Sequence, residues 1–511
     1  MLQMRILFRV DASLIIGTGH VMRCLTLAKA LAATGAQCNF ACREHPGNLI
    51  NFIRQQGFEV ATLPMLKDQQ PTGDEVEVSG LAHSAWLGCD WASDAAQTKV
   101  GAGGTAIDWL VVDHYALDAS WESAMRNVAK KIMVIDDLAD RRHDCDVLLD
   151  QNFYADMNCR YDGKVPPHCQ LLLGPRYALL RDEFRQLHEQ VKPRSGRVKR
   201  VVVFFGGVDF DNNTARAIEV LASIGGQNWH VDVVIGTHHP HREEVEATCA
   251  EQGFVCHVQT SRMAELMALA DVAIGAGGTA TWERCCLGLP TLTLCVADNQ
   301  CKQIADAASE GLLYAPELEG DLTSAIRRHV RAFLENDYLR QAISRNGMRT
   351  VDGRGVLRVI GNLGCSDIEI RVASLADSES LFEWRNHPAI RMASRNSELI
   401  NREDHQKWFA LVQASPDRLL LIGQREGLPV GVVRFDIQGD TAEVSIYLVP
   451  NIQQPERGRA LLQSAEKWLS ANRPRVNKIS AHVLGGNGRS QYLFLGAGYE
   501  VESTSYLKRL H

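Results

Sequence analysis

The sequence has no uninterrupted apolar run of about 18 residues, the length that a membrane-spanning helix needs, so we expect no membrane insertion. Its amino terminus enters a strand-like segment directly, and we expect no secretory leader. Positive charge is not in excess: 54 Lys and Arg stand against 61 Asp and Glu, which argues against a dedicated nucleic-acid binder. The 14 cysteines follow no framework spacing, so free thiols in a reducing cytoplasm are expected.

The chain does show repeated alternation of short apolar runs with helical patterns. Its 511 residues exceed one hydrophobic core, and about three domains are expected. The alternation predicts one doubly wound α/β domain over residues 1–190 and another over residues 197–355. The basic stretch QVKPRSGRVKR, residues 190–200, is interpreted as the linker between them. Such a pair places its ligand cleft at the carboxyl ends of the strands.

The pattern changes across residues 354–367. Beyond this point, strand-like IEIRVAS, a helical stretch and two meandering strands precede a helix that starts near Gly458. This order predicts a separate α+β domain over residues 367–511.

The loop VDASLIIGTGHVMR, residues 10–23, joins a strand-like run to a helical pattern. Gly17 and Gly19 allow close backbone approach to a ligand, and the following helix offers N–H groups to an anion. The loop lacks the lysine of a P-loop, and Met22 stands where a dinucleotide fold needs its third glycine. His20 lies at the positive helix end, which favours the neutral imidazole that a general base requires. A structural turn with a capping or core histidine is the alternative.

A second glycine turn, GAGGTATWE at residues 275–283, opens another helix. Its glycines and Thr279 are candidates to bind phosphate through backbone N–H groups. Glu283, one helical turn later, is a candidate to accept both ribose hydroxyls, unless it is an ordinary exposed glutamate. The histidines of THHPH, residues 237–241, are adjacent on a loop and do not converge as metal ligands do, so no metal is expected.

Together these segments resemble a known family. The pattern R-x-D-x-S-x-x-I-G-x-G-H-x-x-R at residues 9–23, with VVDHY, FFGGVD and GAGGTATWE further on, resembles the UDP-2,4-diacetamido-2,4,6-trideoxy-β-L-altropyranose hydrolases of pseudaminic acid biosynthesis. That family is similar to glycosyltransferases of the GT-B fold. The resemblance spans residues 4 to about 350 and implies that His20 is the general base for water attack at the anomeric carbon. It implies UDP-sugar contacts at Gly17, Gly19, Arg23, Tyr177, Arg181, Gly277, Gly278, Thr279, Glu283, Asn299 and Gln300, with interdomain packing equally open for Tyr177 and Arg181.

The C-terminal segment resembles the GCN5-related (GNAT) N-acetyltransferases, in particular the one that acetylates the 4-amino group of a UDP-linked sugar in the same pathway. Their R/Q-x-x-G-x-G/A motif is represented here by PERGRA, in which Pro455 replaces the first residue. The resemblance implies acetyl-CoA binding by Arg457, Gly458, Arg459, Ala460, Asn487 and Ser490. Phe494 stands where the family often has a tyrosine general acid, so we assign no catalytic acid.

The sequence therefore predicts two Rossmann-like domains in a GT-B arrangement followed by a GNAT-like domain. The expected protein is a cytoplasmic, bifunctional enzyme that acetylates the UDP-4-amino sugar with acetyl-CoA and then hydrolyses the product. Two alternatives stay open: a UDP-sugar glycosyltransferase of GT-B fold, and a nucleotide-sugar-binding protein with an inactive acetyltransferase domain.

Overall fold

The computed structural model describes residues 4–65, 83–104, 106–224, 229–296, 298–364, 368–394, 396–425, 428–450, 455–483 and 487–502. The chain divides into two compact units, Met1–Ile360 and Gly361–His511. The first unit contains two parallel sheets and the second contains one mixed sheet. The predicted fold class is therefore confirmed, while the boundaries at residues 190, 197, 355 and 367 stay predictions.

The central strands of the first sheet consist largely of buried residues, because a parallel sheet is covered on both faces. Its elements are β1 Arg5–Val10, α1 Gly19–Ala33, β2 Gln37–Arg43, α2 Ile50–Gln55, β3 Glu59–Leu63, α3 Trp91–Gly101, β4 Ile107–Asp113, α4 Ala119–Met125, β5 Ala129–Ile135, β6 Val147–Asp150, β7 Gln170–Leu173 and α5 Asp182–His188. The strand order is β3-β2-β1-β4-β5-β6-β7. The order reverses between β1 and β4, and such a switch point opens a crevice at the carboxyl ends of the strands.

The second sheet repeats this plan with five parallel strands. Its elements are β8 Arg200–Phe204, α6 Asn213–Ile224, β9 His230–Ile235, α7 Arg242–Gln252, β10 Val255–Val258, α8 Met263–Leu269, β11 Val272–Ala276, α9 Thr279–Cys286, β12 Thr291–Leu294, α10 Asp298–Ser309, α11 Leu322–Glu335, α12 Asp337–Thr350 and α13 Gly355–Asn362. The order is β10-β9-β8-β11-β12, so the switch point lies between β8 and β11. Apolar side chains cover the sheet on both faces.

The predicted linker at residues 190–200 is irregular up to Arg200, where β8 begins. It is nevertheless anchored, because the guanidinium of Arg194 donates to the carbonyl oxygens of Ala268 at 2.7 Å and Leu287 at 2.9 Å. A third bond joins Arg194 Nε to the carbonyl oxygen of Ala270 at 3.0 Å. The connection is thus fixed to the second sheet's helices.

The second unit has five strands and five further α-helices in its described residues. In chain order, these elements are β13 Glu369–Val372, α14 Ser378–Asn386, α15 Pro388–Met392, α16 Arg402–Ala414, β14 Arg418–Arg425, β15 Leu428–Gln438, β16 Thr441–Leu448, α17 Pro455–Asn472, β17 Lys478–Ala481 and α18 Gly488–Gly496. Neighbours from β13 to β16 are antiparallel, and β16 pairs with β17 in parallel. In the described residues β17 pairs only with Thr441–Val444, so the carboxyl half of β16 has an open edge on that side.

The expectation of free cysteines is wrong at one place. Cys295 and Cys301 form a disulfide, because the short connection from β12 to α10 brings their Cα atoms to 5.6 Å. Eleven other cysteines of the described chain are free. Across the same described ranges, no helix combines the length and apolarity needed to cross a membrane.

Candidate active site

His20 lies in the first turn of α1, directly after the glycine loop. Its Nδ1 atom is 2.6 Å from Oδ1 of Asp113, the last residue of β4. The two meet because β1 and β4 are neighbours, so the loops at their carboxyl ends share one edge of the sheet. An ionised carboxylate only accepts hydrogen bonds, so Nδ1 carries a proton, and in the neutral imidazole Nε2 then carries the lone pair. This tautomer makes Nε2 the atom that can take a proton from a substrate.

Asp113 is buried and paired with Arg23, which lies one helical turn after His20. Arg23 donates from Nε to Oδ2 at 2.6 Å and from Nη2 to Oδ1 at 2.7 Å. Burial would raise the pKa of Asp113, but the Arg23 guanidinium and then His20 hold it well below its ordinary value. The guanidinium of Arg23 therefore fixes the carboxylate that orients His20. Arg23 also lines the cavity described below.

Aromatic side chains form one wall beside His20. The ring of Tyr115 stands edge-on to His20, with 4.7 Å between centroids, and Trp86 lies 5.7 Å from Tyr115. The Tyr115 hydroxyl donates to Asp137, which follows β5. Burial and the Asp137 carboxylate raise the pKa of Tyr115 well above its ordinary value, so the hydroxyl keeps its proton. Next to the base, the wall thus offers apolar ring faces, and the one hydroxyl proton of Tyr115 is directed to Asp137.

A cavity of about 250 Å³ joins the edges of the two parallel sheets. From the predicted contacts it brings together Gly19, His20, Arg23, Gly278, Thr279 and Gln300. Its remaining lining residues were not predicted, and they are Ile16, Trp86, Tyr115, Asp137, Leu138, Asn152, Tyr154 and Gln303. The two glycine loops, far apart in sequence, therefore face one space.

Glycine is needed in the two loops for different structural reasons. Gly17, at φ +79°, closes a turn in which its N–H donates to the carbonyl oxygen of Ser13, and a Cβ there would meet nothing within 4 Å. Gly278, at φ +86°, precedes the first residue of α9. A Cβ on Gly277 would fall 2.8 Å from Ile304 Cδ1, so glycine there allows α10 to approach the loop.

The connection from β12 into α10 was predicted to carry two contacts. Gln300 lines the cavity, and its Oε1 is buried without a hydrogen-bond partner in the described chain, so it is available to a ligand. The side chain of Asn299 lies outside the described residues.

The other predicted contacts lie apart from this cavity. Glu283 Oε1 is 3.8 Å from Arg181 Nη2, and Arg181 also pairs with Glu183. Tyr177 ends a 3-10 turn whose following backbone lies against Gly355 at the start of α13. Burial raises the pKa of Glu283 to about 7, against the opposing charge of Arg181.

Asp11 lies on the same loop as His20 and would be the next candidate for a base, but the structure does not place it at the cavity. Its side chain is fully buried and forms an ion pair with Arg9 at 2.7 Å. It also accepts the backbone N–H of Arg43 at 2.7 Å. Asp11 therefore belongs to a buried charge network and does not line the cavity.

The second unit places its predicted residues around the starts of two helices. Gly458 is buried in the first turns of α17, and a Cβ there would lie 3.6 Å from Leu493 of α18. Arg459 is exposed, and Ala460 packs against the core. Asn487 caps α18 by accepting the backbone N–H of Ser490 at 3.1 Å. The side chain of Arg457 lies outside the described residues.

Comparison with known proteins assigns this unit. The acetyltransferase (GNAT) family matches residues 379–499. The acetyltransferase PseH of Campylobacter jejuni is 30% identical over 118 residues, which cover 23% of this chain and 72% of that protein. Through its second unit, the chain belongs to the GNAT acetyltransferase family.

Further relatives match the unit that precedes the GNAT unit, or the whole chain. The UDP-2,4-diacetamido-2,4,6-trideoxy-beta-L-altropyranose hydrolase of Campylobacter jejuni is 27% identical over 216 residues, 41% of this chain and 62% of that protein. MJ1062 of Methanocaldococcus jannaschii, an uncharacterized protein, is 21% identical over 509 residues, 97% of each chain. The solved structure of the calicheamicin glycosyltransferase CalG4 is 16% identical, with a TM-score of 0.49, over 71% of this chain and 99% of that one. The matches to the hydrolase and to the acetyltransferase confirm the resemblances drawn from the motifs.

Several residues of the site outside the GNAT unit were not predicted from the motifs, although the sequence contains a signal for them. Asp113 ends β4, Asp137 comes two residues after the end of β5, and Asn152 comes two residues after the end of β6. In a doubly wound sheet, polar residues at these positions face the crevice. VVDHY and IDDLADRRHDCDVLLDQN contain them, so strand-end polarity was the available clue.

A pH-dependent contribution of Glu283 to nucleotide binding is expected. If the ionised carboxylate accepts the ribose hydroxyls, the affinity for a UDP-sugar should rise about tenfold as pH increases from 6 to 8, because charged hydrogen bonds are stronger than neutral ones. The direction follows from a pKa of about 7, below which Glu283 is protonated. Calorimetric titration with a UDP-sugar measures this, since its diphosphate diester does not titrate in that range.

Glu283→Gln should give weak, pH-independent binding. Glu183→Gln is the matched control, because Glu183 contacts the same Arg181 at 2.9 Å from an exposed position. A pH dependence that persists in Glu283→Gln would assign the titration to another group.

Proposed function

We propose that the first unit hydrolyses UDP-2,4-diacetamido-2,4,6-trideoxy-β-L-altropyranose to UDP and the free sugar, and that the GNAT unit uses acetyl-CoA to acetylate the UDP-4-amino precursor. The observation that carries the proposal is the His20–Asp113 pair in a cavity shared with Gly278 and Thr279. A base oriented by a buried carboxylate, beside backbone suited to a diphosphate, is what attack of water on a nucleotide sugar requires.

In the proposed hydrolysis, His20 Nε2 accepts a proton from water while the water oxygen bonds to C1 of the sugar. The bond between C1 and the β-phosphate oxygen breaks, and its electron pair leaves with UDP. The ionised Asp113 stabilises the imidazolium that forms, and Arg23 keeps that carboxylate in place. The backbone at the start of α9 is suited to stabilise the charge on the departing diphosphate.

In the proposed acetyl transfer, the 4-amino nitrogen of the UDP-sugar attacks the thioester carbonyl. A C–N bond forms, the C–S bond breaks, and CoA leaves as its thiol after taking up the proton released by the amine. The edge of β16 over Ser445–Leu448 fits an extended, amide-containing chain such as the pantetheine arm, because no described strand pairs with that edge. The product of this step is the substrate of the hydrolysis, which gives the fusion a chemical reason.

Incubation of the purified chain with the UDP-diacetamido sugar in H₂¹⁸O tests the hydrolysis. The expected products, without any acceptor, are UDP free of ¹⁸O and a labelled free sugar, because attack at C1 leaves the phosphate oxygens untouched. Label in the β-phosphate would move the attack to phosphorus and remove the role given to His20. Turnover only after addition of an acceptor sugar would identify a glycosyltransferase, and binding without turnover a nucleotide-sugar-binding protein.

The acetyl transfer is tested separately with acetyl-CoA and the UDP-4-amino sugar. Release of the CoA thiol together with a mass gain of one acetyl group on the UDP-sugar is the expected result. If the thiol appears only as fast as it does without the amino sugar, the GNAT unit does not use this acceptor.

A further inference from the structure

Asn152 forms a polar connection between the two sheets of the first unit. Its Nδ2 donates to Asp137 Oδ2 at 3.0 Å, on the side that carries His20. Its Oδ1 accepts from Trp282 Nε1 at 2.9 Å and from Gln303 Nε2 at 3.2 Å, on the side that carries the second glycine loop. One amide therefore bonds to α9, to α10 and to the loop after β5.

The orientation of this amide follows from its partners. The indole N–H of Trp282 only donates, and the carboxylate of Asp137 only accepts, so the oxygen must face α9 and the nitrogen must face Asp137. Asn152 is 8% exposed and Trp282 is fully buried, so water does not readily replace these bonds. Both lone pairs of Oδ1 are used, which makes an amide the fitting group at this position.

Each partner of Asn152 is attached to one half of the cavity. Asp137 also accepts from the Tyr115 hydroxyl and lies 3.5 Å from Nη1 of Arg23, which holds Asp113 and through it His20. Trp282 is on the helix that starts at Thr279, and Gln303 is one turn after Gln300. A shift at Asn152 would thus move the base relative to the loop that faces the diphosphate.

We propose that Asn152 is a positioning residue that keeps His20 aligned with the nucleotide-binding half of the cavity. The proposal rests on the proposed hydrolysis, since it assigns Asn152 an effect on the rate of that step. Misplacement of reacting groups by about 1 Å costs up to about 100-fold in rate, whereas binding to one half of a site is insensitive to it. Asn152 thereby acts through Asp137 and Arg23 and takes no proton itself.

The first test is the split between kcat and KM in Asn152→Ala. We expect kcat for the UDP-sugar to fall at least about tenfold while KM changes by less than about threefold. Binding of UMP, measured by calorimetry, should stay at the wild-type value. A raised KM with unchanged kcat would make Asn152 a substrate contact, and an unchanged kcat would overturn the proposal.

Asn152→Asp supplies a readout that a purely structural role would not move. The new carboxylate keeps the acceptor for Trp282 and faces Asp137 Oδ2, so the two anions repel until one proton is shared between them. The ratio of variant to wild-type kcat should therefore rise as pH falls from about 8 to about 5.5, whereas the ratio for Asn152→Ala stays flat. A flat ratio for both variants contradicts the proposal.

The neighbouring charged groups are present in all variants, but burial and Asp137 raise the pKa of Asp150 to about 8, so Asp150 titrates in the same pH range. Asn152→Ala, which adds no charge, is therefore the control that separates the effect of the new carboxylate from that of Asp150. Asp137 faces Arg23 of α1, Tyr115 after β4 and Arg160, whose Nη2 donates to its carbonyl oxygen. Asp150 at the end of β6 accepts the backbone N–H of Asn152. The described partners from α9 and α10 are uncharged.

Two more variants complete the design. Gln303→Met removes one donor to Asn152 Oδ1 with little change of volume, so we expect kcat to fall by less than in Asn152→Ala. This variant takes the place of Asn152→Ala if Asn152→Ala does not fold. Asp156→Asn is the matched control, because its exposed ion pair with Lys302 crosses the same junction away from the cavity. An equal fall in kcat in Asp156→Asn would assign the effect to the junction as a whole and overturn the role of Asn152.

Amide hydrogen exchange separates failure of this proposal from failure of the proposed hydrolysis. In Asn152→Ala, exchange should quicken in residues 152–157 and in α10, and should be unchanged in α1. If the wild type hydrolyses no UDP-sugar, the proposed function fails while this exchange pattern still reports on the connection. Unchanged exchange in both segments overturns the connection itself.

Discussion

Replacing His20 by asparagine is expected to lower kcat for UDP-sugar hydrolysis by at least about 100-fold, the contribution of a positioned general base. Asparagine is similar in size and keeps a polar contact with Asp113, but it cannot take a proton. Asp113 stays paired with Arg23 in the variant, so the fold should persist. The affinity for the UDP-sugar should change by less than about tenfold, because the base acts on water.

Steady-state release of UDP and calorimetric binding of the UDP-sugar measure the two quantities. Acetyl transfer by the GNAT unit in the same preparation is the internal control and should be unaffected. If affinity collapses and the rate on bound substrate is normal, His20 is a phosphate contact. Asp137, which lines the cavity, then replaces the buried Asp11 as the next candidate base.

The two parallel sheets could be predicted because the pattern of apolar residues along the chain identifies their strands. Strands such as RVVVF at residues 200–204 are almost entirely apolar, as burial on both faces requires, and helical patterns separate them. Element ends were less accurate. The helix expected to start at Gly458 starts at Pro455, a residue that favours the first helical turn since it has no N–H to leave unpaired.

The site was only half predictable, for a topological reason. The residue type alone indicates the two loops that contain glycines 17, 19, 277 and 278, because few other residues permit such backbone conformations. The partner of His20 does not: Asp113 lies 93 residues away, and it becomes a neighbour only through the placement of β4 beside β1. The strand order is a property of the folded sheet, so the orienting carboxylate and Asn152 were out of reach of motif spacing.

The disulfide between Cys295 and Cys301 escaped prediction for a similar reason. The two cysteines are six positions apart, and nothing in that spacing distinguishes them from the eleven free thiols of the described chain. Their contact arises because Cys295 directly follows β12 and Cys301 lies in the first turn of α10, which begins four residues after β12 ends. The disulfide thus depends on the local path of the backbone, which the spacing of the cysteines does not specify.

Asp113→Asn is expected to lower kcat by about 10²- to 10⁴-fold, by analogy with the orienting carboxylate of serine-protease triads. Oδ1 of Asp113 accepts from both His20 and Arg23, while Oδ2 accepts from Arg23 Nε. An amide provides only one oxygen. Either its NH₂ group faces His20 Nδ1 and forces the proton onto Nε2, or it faces a guanidinium that can only donate.

The same change should lower stability, because it leaves the buried Arg23 with a weaker partner. Losing one member of a buried ion pair costs about 3–5 kcal/mol. The pKa of Asp113 is held below its ordinary value in the fold, so the wild-type advantage is present above the unfolded pKa near 4 and declines only in stronger acid. Urea unfolding between pH 5 and pH 8 should therefore give a constant difference between the two proteins. A difference that vanishes toward pH 5 would show that Asp113 titrates normally.

The double variant His20→Asn, Asp113→Asn decides whether the two residues act as one unit. If Asp113 works through His20, removing both should lower kcat about as much as removing His20 alone, since an orienting group has no effect once the base is absent. Rate losses that multiply instead would mean that Asp113 assists the reaction by a separate route, for example through Arg23. Each protein is first checked for UMP binding, so that a loss of rate is attributed to the base and not to a collapsed nucleotide half. Near-equality of the single and double variants is the expected result, and it would assign the hydrolysis to the imidazole that Asp113 holds in one tautomer.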